Sequence, residues 1–248
     1  MLRARGVEKK YGDFQAVHPL DLDVRGGEVF GFLGLNGAGK TTTFRMLAGV
    51  LPPTAGSIEI DGLDLALHPV EARRRIGFIP DRPYLYDKLT AREFLRFLGE
   101  VYGMSLATLD EKVTTELSRQ SLHEQADHLV ESFSHGMKQR LVLAGALLHE
   151  PRLLIVDEPM VGLDPRGARQ IKATFRSLAA LGRTVFLSTH TLAVAAEVCD
   201  RIAIIHRGRI ARTGTVAELC EGGESLEDVF LRITGGLESG EVDSGGTE

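Results

Sequence analysis

Several things are scarce in this 248-residue chain, and each scarcity excludes something. There are two cysteines, Cys199 and Cys220, in unrelated contexts without metal-ligand spacing. They read as reduced thiols, not as a disulfide framework or zinc site. The longest uninterrupted apolar run is "LVLAGALL", Leu141 to Leu148. A bilayer span needs about 20 residues, so the run is too short to cross one. The cations of "MLRARGVEKKYG" have no apolar segment behind them, so no signal peptide is expected. Basic tracts are missing, and a net charge of -5 argues against general affinity for nucleic acid or anionic lipid. Asparagine occurs once, at Asn36, so an Asn-Lys-x-Asp guanine reader cannot be present.

What is present is ordinary globular composition, 43% apolar and 25% charged. Early strands are expected in "LRARGVEKKY", "AVHPLDLDVRGGEVFGFLG" and "SIEIDG". In the second, Leu20, Leu22 and Val24 alternate with polar residues, as in a half-buried antiparallel strand. A helix over Thr41–Val50 ends at Pro52-Pro53, and residues 90–148 read as mainly helical. "RLLIVD" and "TVFLST" are apolar on both faces, as buried parallel strands are. "RIAIIHRGRIARTG" reads as a hairpin turning at Arg207-Gly208. The tail, residues 237–248, is acidic, rich in Gly and Ser, and expected to be disordered.

"GLNGAGKT", Gly34 to Thr41, follows an apolar strand and opens a helix, the context a phosphate-binding loop requires. Gly34, Gly37 and Gly39 let backbone NH groups approach phosphate, and the helix N-terminus adds a favourable dipole. Lys40 is a point charge for the β- and γ-phosphates, and the Thr41 hydroxyl can ligate Mg²⁺. Leu35, Asn36, Ala38 and Thr42 complete the candidate loop. With no guanine reader, the nucleotide is expected to be ATP. "LLIVDEP" puts Asp157 and Glu158 at a strand end, where open α/β sheets bind ligands. Asp157 is placed to hold Mg²⁺ and Glu158 to polarise an attacking water. His190, ending "TVFLSTH", can bond the transferred phosphate and orient Glu158. "SFSHGMKQR" offers Ser134 as the cap of a helix whose positive end would face an anion.

In this order, the motifs resemble those of the ATPase subunit of ATP-binding-cassette transporters, over Leu2 to about Gly214. The resemblance implies a P-loop NTPase of the α/β class: a RecA-like parallel core with an N-terminal antiparallel β subdomain and an inserted α-helical subdomain at about 88–148. The ATPase domain would cover 1–220, with a C-terminal helix at 221–236. "GLNGAGKTT" and "LLIVDEP" look like the Walker A and Walker B sequences, and "GLDP" like the D-loop. His190 looks like the switch histidine, and "FSHGMKQR" stands at the family signature, usually Leu-Ser-Gly-Gly-Gln.

By resemblance, Ser134 and Gly136 contact ATP held by a second copy or a kindred chain. Tyr11 stacks on adenine with Val17 nearby, and Asp81, where the family has glutamine, offers Mg²⁺ an oxygen. His135 and Met137 depart from the signature. "PDRPYLYDKLTAREFL", "FSHGMKQRL" and "SLEDVFLRITGG" look like the ABC-2 exporter branch. The implied partner is a membrane permease, with the chain peripheral on the cytoplasmic face. Two rival expectations stand beside this one: a soluble ATP switch acting on DNA or ribosomes, and a module that holds ATP without hydrolysis.

Overall fold

The computed structural model describes residues 1–160, 162–220 and 223–235. The expected acidic tail, and the ends of the expected 221–236 helix, lie outside them.

Strand β1 (Leu2–Tyr11) turns through Gly12-Asp13 into β2 (Phe14–Val24). Leu20, Leu22 and Val24 point inward and Asp21 and Asp23 outward, as their alternation predicts. The chain then breaks at Gly26-Gly27, so the stretch that reads as one strand is two, lying in different sheets. Strand β3 (Val29–Leu33) leads through the glycine-rich loop into helix α1 (Lys40–Leu47). Next come β4 (Ala55–Ile60), β5 (Leu63–Asp64), α2 (Pro69–Arg73) and β6 (Ile76–Ile79).

A helical stretch follows, with α3 (Ala91–Val101), α4 (Leu106–Arg119) and α5 (His135–Leu147). Thr90 and Glu93 close a reciprocal cap at the start of α3. The chain returns through β7 (Leu153–Val156), α6 (Pro165–Ala180), β8 (Thr184–Thr189) and α7 (Leu192–Val198). The hairpin β9 (Arg201–His206) and β10 (Arg209–Gly214) turns at Arg207-Gly208 as expected. Helices α8 (Val216–Leu219) and α9 (Leu226–Thr234) complete the described chain.

Two sheets result. One has the order β2-β1-β4-β5, antiparallel. The other runs β10-β9-β3-β8-β7-β6, parallel except for the β9–β10 hairpin. Its central strands are buried on both faces, which is why they read as unbroken apolar runs. Phe30, Phe32, Leu153, Ile155 and Phe186 face a core shared with α1 and the antiparallel sheet. Val29, Leu33, Leu154, Val156, Val185 and Leu187 face a second core under α5, α6, α7 and α9. Phe44 of α1 packs 4.7 Å from Phe186 between ring centroids, within a cluster that includes Phe30 and Phe32. Truncating such a ring to alanine costs about 3–5 kcal/mol.

Helix α5 joins the layers. Its first turn is solvent-facing, while every residue from Leu141 to Leu147 is buried. Val142, Leu143, Ala146 and Leu147 belong to the sheet's core, whereas Leu141 and Ala144 belong to a third core with α3 and α4. The surface turn at Ser134 is thereby rooted in two cores at once.

Candidate active site

The phosphate loop lies at the carboxyl end of β3. Gly39, the residue before α1, has φ +103°, a left-handed conformation that a side chain strains. A Cβ there would also stand 2.9 Å from the Ala16 carbonyl oxygen. The β9–β10 turn supports the loop from behind: Gly208 N–H donates to the Ala38 carbonyl (2.9 Å), and His18 N–H donates to the Gly208 carbonyl (2.9 Å). The expected hairpin turn is therefore also a buttress.

Lys40 is buried and folded onto the loop. Its ammonium donates to the Gly34 carbonyl at 2.7 Å and the Leu35 carbonyl at 3.2 Å. Burial lowers its pKa, opposed by the nearby carboxylates of Glu158 and Asp157. Thr41 Oγ1 donates to Asp157 Oδ2 at 2.9 Å. Asp157 is itself buried, at the end of β7. The next pair beyond Val156 and Leu187 in the β7–β8 ladder brings Ser188 beside it. The Ser188 hydroxyl donates to Asp157 Oδ1 and accepts from Glu158 N–H at 2.9 Å. One fully buried hydroxyl thus ties both acids together.

Glu158 has φ +52°, uncommon for a non-glycine residue, which turns the chain sharply after β7. Its Oε2 lies 3.0 Å from His190 Nδ1, and its Oε1 lies 3.8 Å from Lys40 Nζ. That Oε1 is buried and accepts no hydrogen bond within the described residues. Lys40, Thr41, Asp157, Glu158 and His190 therefore meet in one place. The paired Thr41 hydroxyl and Asp157 carboxylate are hard oxygen donors, the kind Mg²⁺ takes. Asp81 is not drawn into this group: its half-exposed carboxylate stands 4.0 Å from Arg82 Nε.

Tyr11 lines a cavity of about 320 Å³ with Leu35, Asn36, Gly37, Gly39, Lys40, Thr41 and Thr42. Val17 is not on its wall but fully buried, 3.3 Å from where a Cβ on Gly39 would stand. Phe14 is on the wall, and neither it nor Ser188 is singled out by the sequence motifs. Both left a trace: Ser188 is a polar residue inside an apolar strand, and Phe14 faces Tyr11 across a two-residue turn.

Ser134 and Gly136 lie elsewhere. Ser134 caps α5, its Oγ accepting from Met137 N–H at 3.3 Å. Asp164 caps α6 in the same way, accepting from Gly167 N–H at 2.6 Å. The two helix starts border a separate cavity of about 440 Å³, which includes Arg140 and Arg166 and none of the phosphate-loop residues.

With this geometry in view, residues 17–161 match the family described as ABC transporter. The chain belongs to that family. Like other cassettes of the family it binds and hydrolyses ATP, and its fold is that of a P-loop NTPase. The linearmycin resistance ATP-binding protein LnrL of Bacillus subtilis (strain 168) is 38% identical over 237 residues, covering 95% of this chain and 76% of that one. The Nod factor export ATP-binding protein I of Cupriavidus metallidurans is 39% identical over 221 residues, covering 89% and 73%. A solved dimeric ATP-binding cassette in a post-hydrolysis state, bound to ADP and Pi, superposes with a TM-score of 0.79. It is 27% identical and covers 87% of this chain and 98% of that chain.

Proposed function

We propose that this cassette powers export through a separate membrane permease, working as a head-to-tail pair in which each ATP lies between two subunits. One observation carries the pairing: within a single chain, Ser134 and Gly136 border one cavity and the phosphate loop borders another. Two copies arranged head to tail bring the second cavity of each onto the first of the other. The dimeric cassette superposed above supports this arrangement, and the names of LnrL and the Nod factor protein support the export reading. Those names do not favour a switch acting on DNA or ribosomes.

In this reading the phosphate loop and Lys40 hold the triphosphate. Glu158 accepts the proton of the attacking water, with Oε2 steadied by His190 and the backbone fixed by Ser188. Ser134 and Gly136 present the start of α5 to the partner's γ-phosphate. Thr41 and Asp157 would hold Mg²⁺, and Asp81, which makes no contact with them, would reach it through a bridging water; when bound, the ion would neutralise charge on the phosphate oxygens. Tyr11 takes the adenine ring.

The permease contact is the segment from Asp81 to Phe94. Tyr84 is 80% exposed, and Tyr86 stands edge-on to both Tyr84 and Phe97 at 5.3 Å. Leu85, between the two tyrosines, turns inward and packs against two cores. No helix among the described residues is long and apolar enough to cross a membrane.

A mixing assay tests the composite site. Chains carrying Ser134→Arg and chains carrying Lys40→Ala are each expected to be inactive. A mixed pair rebuilds one intact site from the lysine of the first and the serine of the second. Recovery of ATPase activity on mixing supports the sandwich; two variants that stay silent together refute it.

A further inference from the structure

The β1–β2 turn brings two aromatic rings to the nucleotide cavity. Tyr11 and Phe14 are direct register partners across Gly12-Asp13, so their side chains leave the hairpin on one side. Both line the cavity that contains Leu35, Lys40 and Thr41. Tyr11 is 48% exposed and Phe14 67%, a large apolar surface left in water beside a concave site. Tyr11 is already engaged on one face: Lys9 Nζ stands 5.6 Å from its ring centroid and donates to the Pro52 carbonyl at 2.7 Å. A planar ligand therefore has the other face of Tyr11 to stack on. The polar side chains of the cavity wall are Asn36, Lys40, Thr41 and Thr42, apart from the Tyr11 hydroxyl. All four belong to the phosphate end.

We infer that Phe14 is a second base-contacting residue, and that adenine sits in the corner between the Tyr11 and Phe14 rings. The base is then recognised by aromatic area, not by its hydrogen-bonding edge. The inference rests on assigning the Gly34–Thr41 loop to the triphosphate. Phe14 acts in binding alone and takes no part in the chemical step. A purine, with more ring area than a pyrimidine, gains more from the corner.

The test is calorimetric, in a Glu158→Gln background so that nucleotide persists. Dissociation constants are measured for ATP, UTP and inorganic tripolyphosphate, which has no base. Phe14→Ala should weaken ATP about five- to tenfold, UTP less, and tripolyphosphate not at all. Phe14→Trp should retain ATP affinity. Phe14 is solvent-exposed, so its replacement leaves the fold intact. Unchanged ATP affinity in Phe14→Ala overturns the inference. So does an equal loss for tripolyphosphate, which would make the ring a support of the loop. Lys40→Ala separates the two assumptions. If it weakens all three ligands while Phe14→Ala weakens none, only the aromatic corner falls. If it weakens none, the triphosphate assignment falls and the corner with it.

Discussion

At the ends of β7 and β8, Asp157 and Ser188 are buried and bonded to each other, and Asp157 also accepts from Thr41. At the starts of α5 and α6, Ser134 and Asp164 stand in solvent, and among the described residues they bond to their own helices. The first group is joined by bonds that cross 116 and 31 residues of sequence; the bonds of the second cross three. The first is therefore made by the fold and preorganised before nucleotide arrives. The second is made locally, by helix caps, and its polar groups face outward. One chain can complete the first without help, whereas in the proposed pairing the second would acquire its role from a neighbour.

Four experiments sharpen or break that contrast. The largest effect is expected at the buried end. Glu158→Gln should lower ATPase turnover by about 10²- to 10⁴-fold while ATP still binds and an ATP-bound dimer accumulates on gel filtration. Near-normal turnover would remove Glu158 from its role. Ser188→Ala comes next. Losing one hydroxyl that serves both acids should cost about 2 kcal/mol of transition-state stabilisation, a fall in kcat of about thirtyfold, with little change in ATP affinity. An unchanged kcat would mean that the two acids hold their places unaided.

At the exposed end, Ser134→Ala should cost about 1 kcal/mol of stability by denaturant titration, the usual loss for a helix cap. Its ATPase rate should fall only where subunits pair. If activity falls equally at concentrations too low for pairing, the outward-facing end is not a shared site.

The smallest effect concerns the helical layer behind α5. Glu116 on α4 is buried, and among the described residues one carboxylate oxygen has no hydrogen-bond partner, the other receiving Arg119. Burial raises its pKa above the ordinary value of 4.5. The folded state then holds the proton more tightly than the unfolded state, so this group's contribution is fully present below pH 4.5 and is lost as pH rises through the folded value. Glu116→Gln should therefore raise Tm relative to wild type near pH 7, and that advantage should shrink toward pH 4. An advantage independent of pH would show that the carboxylate is not the cause.

The sequence made the phosphate loop, Asp157, Glu158 and His190 readable because each sits at the junction of an apolar strand and its successor. Both-face burial in β7 and β8 followed from their unbroken apolar runs. Less was visible where the signal was not local. The break between β2 and β3 needed knowledge of which sheet each half joins, and a glycine pair inside an apolar stretch does not say. Val17 fits an alternating strand equally well on a cavity wall or under the loop; packing against Gly39 decides. Ser188 is noticeable as a lone hydroxyl, but its two acids are apparent only from the β7–β8 register. Asp81 shows the reverse limit: the motif position is clear, while the exposed loop directs the carboxylate toward Arg82.

Gly162, beside the start of α6, has φ +74°, and a Cβ there would stand 2.7 Å from Nε2 of His135 at the start of α5. Positions 135 and 162 thus share one allotment of space. A variant library should accept bulk at 162 more readily in clones where 135 is small, and the left-handed backbone angle narrows even those toward asparagine and aspartate. The two sites are coupled through geometry: anything larger than hydrogen at 162 makes the exposed imidazole of His135 swing aside.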